Sequence, residues 1–224
     1  VRAGEILAIA GVQGNGQTEL AEAILGLRGL HSSDGDISIS GSSVRGKSVR
    51  SILEKGVGYV PEDRQKNGLI SEFSIAENLM LNGSFTKPFA KGLGIAFATR
   101  NKIADELVKE FDVRTTSAQS AAGKLSGGNQ QKVVLARELS REVELLVVSQ
   151  PTRGVDVGSV EFIHERLVEE RNSGKAVLLI STELDEVLAL ADRIAVMYRG
   201  KIVGIVAANT DRAKLGQMMA GVAA

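Results

Sequence analysis

The sequence predicts an α/β fold with a mostly parallel sheet that is covered by helices on both faces. Continuous apolar runs at 5–10, 144–148 and 176–180 have the length and composition of buried strands. Segments with helical periodicity alternate with these runs, as in strand–helix–strand crossovers. Residues 71–139 interrupt the alternation with helical segments. We therefore expect one domain with an α/β core (1–70 and 140–224) and an inserted helical subdomain (71–139).

The first core segment begins with the strand 5–10, which ends at Gly11. Apolar side chains recur at helical spacing in the segment that follows, and Gly26 ends that helix. Alternation at 36–40 is typical of a half-buried strand. The predicted elements here are strands at 5–10, 36–40 and 58–60 and helices at 17–25 and 49–55.

Helical periodicity dominates the middle of the chain, and strands return in the last segment. The middle predicts helices at 74–81, 100–111 and 128–139, and no element is predicted for 83–97. The last segment predicts strands at 144–148 and 176–180, helices at 157–171 and 184–191, a hairpin of 193–198 with 201–207, and a helical tail at 211–219. Arg199-Gly200 is expected to form the hairpin turn.

Composition excludes several classes of function. The 27 Lys and Arg residues balance 27 Asp and Glu residues, which argues against bulk attraction to nucleic acid or anionic lipid. The absence of Cys excludes disulfides, thiolate metal sites and a cysteine nucleophile, and two His residues make a histidine-rich metal site improbable. No apolar run reaches the roughly 18 residues of a membrane span, and the first residues do not have the cationic and apolar pattern from which secretion would be expected.

The chain begins at Val1, without Met, and enters a strand at once. We therefore expect it to be a piece of a longer polypeptide, with one or more N-terminal strands truncated.

A candidate phosphate loop follows the first strand at residues 11–18, GVQGNGQT, directly before a helix. Backbone N–H groups at such a helix start form a cradle for anions. The Thr18 hydroxyl is a candidate Mg²⁺ ligand. Gln17 stands where a phosphate loop normally carries Lys. A glycine-rich turn without a ligand is the alternative for this segment taken alone.

A second candidate anion site lies at residues 125–131, LSGGNQQ, which open another helix with Ser126 at a capping position. A plain serine-capped helix is the alternative for this motif. After it come a buried strand and the segment 149–156, SQPTRGVD. The chain thus contains two candidate anion-binding helix starts, at 11–18 and 125–131, and a buried strand separates the second one from SQPTRGVD. This order of elements is more specific than either motif alone.

Over nearly all of its length the chain resembles the nucleotide-binding domain of ATP-binding-cassette (ABC) transporters. LSGGNQQ is similar to the signature motif of that family, PTRGVD to the segment that ends in its D-loop, and VGYVPED to its Q-loop region. More narrowly, GVQGNGQTEL, PEDR, LSGGNQQ and PTRGVDVG resemble the second, C-terminal and degenerate cassette of tandem-cassette ATPases that drive sugar and nucleoside import. SQPTRGVDVGSVEFIHERL is closer to the nucleoside-type members. The resemblance implies a P-loop NTPase-like core (the ABC ATPase fold).

The resemblance also implies a site for ATP or ADP with Mg²⁺. The nucleotide-binding positions that it carries over are Gly11, Gly14, Asn15, Gly16, Gln17, Thr18 and Glu62, of which Thr18 is the expected metal ligand and Glu62 holds the Q-loop position. The signature positions, implied to complete the ATP site of a partner cassette, are Leu125, Ser126, Gly127, Gly128, Asn129 and Gln130. Asp156 holds the D-loop position.

Four positions depart from the family pattern. Gln17 replaces the phosphate-loop Lys, Ser149 the Asp of the Mg²⁺ shell, Gln150 the Glu that acts as general base, and Thr182 the switch His. Phosphoryl transfer depends almost wholly on positioning and charge stabilisation. An amide cannot accept the proton of the attacking water near neutral pH. The sequence therefore predicts no catalytic residue in this chain's own site and little or no ATPase activity of the domain alone.

The partners that the resemblance implies are another ABC cassette (the N-terminal half of the same polypeptide), transmembrane permease subunits and, indirectly, a solute-binding protein. No nucleic acid is expected. The expected location is the cytoplasmic face of the cell membrane, held there by the permease subunits. The stretch 83–100 is a candidate docking surface for a permease, with Phe85, Phe89, Leu93, Ile95 and Phe97 as its apolar residues. These side chains could equally fill the small core of the subdomain.

Two other functions compete with the degenerate importer cassette. A fully active ATPase cassette requires turnover by this domain alone, against which the substitutions at Gln17, Ser149 and Gln150 argue. A soluble, non-transport ABC protein of translation or DNA repair would favour a basic surface or a long coiled-coil insertion. The zero net charge and the absence of an extended heptad run argue against it.

Overall fold

A computed structural model of the chain describes residues 1–28, 35–92 and 94–222. These residues form two compact units. The core unit comprises Val1–Tyr59, Val143–Gln150 and His164–Ala224, and the helical unit comprises Val60–Glu142 and Pro151–Ile163. The domain bounds expected from the sequence, at residues 70 and 140, stay a prediction.

The strands are short and the helices range from one to four turns. In chain order the strands are β1 (Ile6–Ala10), β2 (Ser38–Ile39), β3 (Ser42–Ser43), β4 (Val57–Val60), β5 (Ala90–Lys91), β6 (Gly94–Ile95), β7 (Leu145–Ser149), β8 (Ala176–Ser181), β9 (Arg193–Tyr198) and β10 (Lys201–Ala207). The helices are α1 (Gln17–Ile24), α2 (Val49–Leu53), α3 (Ile75–Met80), α4 (Phe97–Glu110), α5 (Gly127–Leu139), α6 (Val157–Asn172), α7 (Leu184–Leu190) and α8 (Arg212–Met219).

The main sheet has six strands in the order β10-β9-β1-β8-β7-β4. β1 pairs parallel with β8 and β9, β7 pairs parallel with β8, and β10 pairs antiparallel with β9. The predicted mostly parallel sheet and the predicted 193–207 hairpin are thus confirmed. In register, Ala10 lies beside Ser181, and Ser149 beside Ile180. The carboxyl ends of β1, β7 and β8 therefore meet at one edge of the sheet.

A buried apolar cluster fixes this sheet against the first two helices. All five residues of β1 and all five of β7 are buried, as expected for central strands covered on both faces. From the helices, Ala21, Ile24, Leu25 and Ile52 join the cluster, with Leu25 1% exposed. Burial of these side chains orients α1, and with it the loop that precedes α1.

In the helical unit, serine caps begin two of the helices. Ser74 and Glu77 form a capping box at α3, because the Ser74 hydroxyl accepts from the Glu77 N–H while the Glu77 carboxylate accepts from the Ser74 N–H at 2.8 Å. Ser126 caps α5. Residues Arg64–Gly68 form a single π-helical turn that no periodicity in the sequence predicts.

Two predictions for the middle of the chain were wrong in detail. Helix α4 begins at Phe97, three residues before the predicted start, and the exposed Phe97 ring lies 5.2 Å from the Arg100 guanidinium one turn later. The stretch without a predicted element contains the short hairpin β5–β6. Of the five apolar residues singled out there, Leu93 lies outside the described residues.

Within residues 1–28, 35–92 and 94–222, none of the helices combines the length and the hydropathy that crossing a bilayer requires.

Candidate functional site

The candidate phosphate loop leaves the carboxyl end of β1 and enters α1. Gly16 starts the helix with φ at 108°, a left-handed conformation that glycine adopts without strain. No side chain caps this helix start. Gly11 is buried, whereas Gly14 and Thr18 are exposed. The loop thus has the strand–loop–helix geometry that the sequence predicts, with the Thr18 hydroxyl at the surface.

The side chain of Gln17 folds back across this loop. Its amide nitrogen donates to the Val12 carbonyl at 3.2 Å, and its amide oxygen accepts from the Asn15 N–H at 3.2 Å. Gln17 is 6% exposed, and a Cβ placed on Gly11 would lie 2.8 Å from its Nε2. The amide therefore lies against Gly11 inside the loop. The Asn15 N–H, one of the backbone donors of this loop, is thus already bonded within the chain, to Gln17 and, at 3.3 Å, to the Val12 carbonyl.

A turn far away in sequence holds the loop from outside. The Asn15 side-chain oxygen accepts from the Arg199 N–H at 2.9 Å, and the Asn15 carbonyl accepts from the Gly200 N–H at 2.8 Å. Arg199-Gly200 is the turn of the β9–β10 hairpin. The sequence predicts that turn but not its contact with the loop, because no local pattern links residues separated by 184 positions.

Strand β7 ends at the same edge of the sheet, at Ser149. The family resemblance leads us to expect a metal-binding Asp at this position. Ser149 is 5% exposed, and its hydroxyl oxygen has no hydrogen-bond partner among the described residues. A buried hydroxyl without a partner costs about 1–3 kcal/mol. The side chain is neutral, so it cannot supply the negative charge that a carboxylate brings to a Mg²⁺ shell.

Gln150 and Thr182, the two positions that the resemblance assigns to the general base and the switch His, are hydrogen-bonded to each other. The Gln150 amide nitrogen donates to the Thr182 hydroxyl at 3.1 Å, and the Gln150 amide oxygen accepts from the Thr182 N–H at 3.3 Å. Gln150 has φ at 48°, uncommon for a residue with a side chain. Its N–H donates to the Ile180 carbonyl at 2.8 Å, which fixes that backbone.

These contacts decide whether the core unit fits Mg²⁺-bound ATP. Gln17, Ser149, Gln150 and Thr182 are all neutral, so none of the four supplies a charge to the phosphates or the metal. Gln17 also occupies the Asn15 N–H. The residues present therefore do not fit metal-assisted hydrolysis at this loop.

The signature segment begins α5 in the helical unit. The Ser126 hydroxyl is exposed and accepts from the Asn129 side-chain amide at 2.9 Å, with the Asn129 N–H further away at 3.5 Å. The Asn129 side-chain oxygen accepts from the Arg114 N–H at 2.7 Å. Leu125 is half-buried, and Gln130 is buried. The start of α5 is thus rigidly capped, and its serine faces solvent.

The two glycines of this segment are required by packing within the chain. A Cβ on Gly128 would lie 2.2 Å from the Ser159 hydroxyl and 2.6 Å from the Asp156 carboxylate. A Cβ on Gly127 would lie 2.4 Å from the Arg64 guanidinium and 2.9 Å from the Gly154 carbonyl. At distances below 3 Å something must shift, so a side chain at either position would displace these neighbours whether or not a ligand is bound.

Asp156, which the family resemblance assigns to the D-loop, caps α6. Its carboxylate accepts from the Ser159 hydroxyl at 2.8 Å and from the Ser159 N–H at 3.0 Å. These bonds, the hydroxyl bond first, hold the pKa of Asp156 below its ordinary value, so the group is charged at neutral pH.

Glu62 of the Q-loop region forms an ion pair with Arg153. Its assignment as a nucleotide-binding residue stays a prediction.

Sequence reasoning missed one residue in this unit, Arg64. Its guanidinium donates to the carbonyls of Arg153 at 2.7 Å and Gly154 at 3.0 Å, and burial lowers its pKa. The PEDR motif identified a family resemblance but gave no signal for this contact, which spans 89 residues.

Comparison with known proteins places these motifs in context. A family model described as "ABC transporter" matches residues 1–153. The chain is 47% identical over 223 residues to the guanosine import ATP-binding protein NupO of Bacillus subtilis, covering 99% of this chain and 43% of that protein. It is 42% identical over 224 residues to the glucose import ATP-binding protein TsgD13 of Haloferax volcanii, covering 99% and 40%. The chain thus spans less than half the length of either relative.

A solved structure shows the same fold. The dimeric post-hydrolysis state of the ATP-binding cassette MJ0796, bound to ADP and Pi, aligns with a TM-score of 0.77 at 22% identity, covering 94% of this chain and 88% of that one. The α/β fold expected from the family resemblance is therefore confirmed.

Proposed function

This chain belongs to the ABC transporter family, and on that basis we propose that it is an ATP-binding cassette of an importer for nucleosides or simple sugars. The names of NupO and TsgD13 support import as the process. The higher identity to the guanosine protein, 47% against 42%, favours nucleosides. Coupling to permease subunits at the cytoplasmic face of the membrane, and indirectly to a solute-binding protein, follows from this role.

We further propose that this chain is the degenerate cassette of a pair, the C-terminal one of a tandem polypeptide. One observation carries this proposal: the Gln150 amide is hydrogen-bonded to Thr182 at 3.1 Å where a carboxylate base would have to act. An amide in that place cannot accept the proton of water. It could also move away from Thr182 only by breaking these hydrogen bonds. Hydrolysis therefore falls to the partner cassette, and this chain contributes its signature segment to that site.

Coverage of the relatives agrees with a tandem arrangement. This chain matches 43% of NupO and 40% of TsgD13, which leaves room in each relative for a second unit of similar length. The dimeric cassette MJ0796 supports pairing between units of this fold. A permease would dock at the stretch 83–100, where Phe97 is 60% exposed.

Uptake by the complete importer tests the proposed process. Cells that lack their own nucleoside and ribose importers would express the full-length protein with its permease and solute-binding subunits, and uptake of labelled guanosine and ribose would be measured. We expect guanosine uptake that requires this segment. Labelled glucose would be measured in parallel, because TsgD13 is named for glucose import. Uptake of a sugar without guanosine would overturn the nucleoside assignment, and uptake of none of the three solutes would contradict the assignment to nucleosides or simple sugars.

Replacing Gln17 by Lys should tighten binding of Mg-ATP to the purified chain about tenfold, because an ammonium adds a charge-assisted contact to phosphate. Gln17→Met is the matched control, since it keeps the length of the side chain and removes both amide and charge. Calorimetric titration gives the three dissociation constants. Equal tightening by Lys and Met would contradict the role of charge and assign the gain to removal of the amide from the loop.

A further inference from the structure

Two sequence motifs of the helical unit contact each other through an arginine side chain from each. They are Pro61–Arg64 (PEDR) and Pro151–Gly154 (PTRG). The Arg64 guanidinium donates to the carbonyls of Arg153 and Gly154 at 2.7 and 3.0 Å. In return, the Arg153 guanidinium bonds the Glu62 carboxylate. We refer to this reciprocal arrangement as the arginine latch. Each motif thus contributes both an arginine and an acceptor.

The two halves of the latch differ in strength. Arg153 is 58% exposed at its side chain, so its ion pair with Glu62 is largely screened by water. The Arg64 guanidinium, by contrast, is partly desolvated, and its two nitrogens reach two consecutive carbonyls. A planar fork suits this geometry, whereas the single ammonium of a lysine cannot occupy both positions. Arg64 is therefore the stronger half of the latch.

The latch lies directly against the start of the signature helix α5. The Arg64 Nη2 is 2.4 Å from the position that a Cβ on Gly127 would occupy, and the Gly154 carbonyl is 2.9 Å from it. Any side chain at Gly127 would displace Arg64, Gly154 or both. Conversely, the position that Gly127 can occupy depends on where Arg64 holds the Gly154 carbonyl.

The π-helical turn that carries Arg64 is itself anchored along α5. Asp63 caps the turn by accepting from the N–H groups of Gln65 at 3.1 Å and Lys66 at 3.0 Å. The Gln65 side chain donates to Gln130 at 3.2 Å. At the far end of the turn, the buried Arg137 donates to the Gly68 carbonyl at 2.6 Å. The turn is thereby held at two points on α5 and presents Arg64 at the start of that helix.

We infer that Arg64 is a positioning residue that sets the D-loop segment 153–156 against the first turn of the signature helix. It acts through the carbonyls of Arg153 and Gly154, which seat Gly127 and, one residue earlier, the exposed Ser126. Glu62 serves in this chain as an acceptor of the latch. The functional consequence rests on the proposed function, in which this face completes the ATP site of a partner cassette.

Kinetics of the complete importer test the functional consequence. Arg64→Lys and Arg64→Ala should both lower kcat for ATP hydrolysis about tenfold or more with little change in KM for ATP, because a contact made only in the closed transition state is lost. Lys66→Ala, a cation on the same turn whose side chain forms no contact in the latch, is the matched control and should leave kcat unchanged. Full activity of Arg64→Lys, or a rise in KM without a fall in kcat, would overturn the inference.

A second measurement uses the purified chain and does not depend on transport. Gly127→Ala should lower the midpoint of thermal unfolding by about 5 °C, since the added methyl group collides with Arg64. In an Arg64→Ala background the same substitution should cost less than half of that shift, because one of the two colliding groups is absent. Equal shifts in the two backgrounds would overturn the contact itself. The inference about the latch would then be wrong even if the uptake experiment had supported the proposed function.

Discussion

Gly128→Asp should abolish ATP hydrolysis and solute uptake by the complete importer, with a loss of at least about a hundredfold. The structure gives a reason within the chain: a Cβ at this position would lie 2.2 Å from the Ser159 hydroxyl and 2.6 Å from the Asp156 carboxylate. The added carboxylate would also approach the negatively charged Asp156 carboxylate, and the two like charges would repel. The D-loop and the start of α5 cannot both keep their places. ATPase rate and uptake at matched expression measure the effect.

A compensated variant separates this packing defect from the role proposed toward the partner cassette. Gly128→Ala combined with Ser159→Gly removes the closest collision, so the unfolding temperature should recover part of the loss seen for Gly128→Ala alone. ATP hydrolysis should stay low, because the altered D-loop no longer seats the signature segment against the partner. Full recovery of activity together with stability would show that Gly128 serves packing alone.

The purified chain should release phosphate from Mg-ATP at least about a hundredfold more slowly than the roughly one per second of ordinary kinases and ATPases. Gln17 lies inside the phosphate loop, Ser149 offers no carboxylate, and Gln150 is bonded to Thr182. Charge stabilisation and proton acceptance are therefore both lacking. A colorimetric phosphate assay over hours measures this rate.

The control for that assay is Gln150→Ala, which would eliminate any reaction that uses this amide. Residual phosphate release that is equal in the two proteins comes from a contaminating enzyme. Turnover near one per second in the wild-type chain, lost in Gln150→Ala, would contradict the degenerate assignment.

Local patterns predicted most of the elements around the site. The apolar runs gave β1, β7 and β8 within one residue at either end, because central strands of a parallel sheet are buried on both faces and need no alternation. The capping residue Ser126 was identified because a helix start requires an acceptor for its free N–H groups. The turn Arg199-Gly200 followed from its two adjoining apolar strands.

Long-range contacts could not be predicted in the same way. The π-helical turn Arg64–Gly68 has a polar sequence with no apolar period, and its stability comes from Asp63 and from Arg137 on a distant helix. Nothing near Arg64 in sequence indicates that it reaches carbonyls 89 and 90 residues later.

Local sequence patterns also do not explain why particular residues occupy their positions. The family resemblance assigns Gly128 to the ATP site of a partner cassette, whereas the structure shows the crowding by Asp156 and Ser159 inside the chain. Similarly, the sequence shows that Gln17 replaces the expected phosphate-loop Lys. Its bond to the Asn15 N–H, however, depends on the three-dimensional path of the loop.

The central claim is a division of labour, in which the signature segment of this chain acts on a partner's ATP while the chain's own site is inert. The most direct measurement is the ATPase rate of the complete importer with Ser126→Ala or Gln150→Ala, at matched expression, with Ser126→Thr as the control that keeps a hydroxyl. We expect Gln150→Ala to keep at least about half of the wild-type rate, and Ser126→Ala to lose tenfold or more because a donor to the partner's phosphate is removed. A larger loss for Gln150→Ala than for Ser126→Ala would contradict this division.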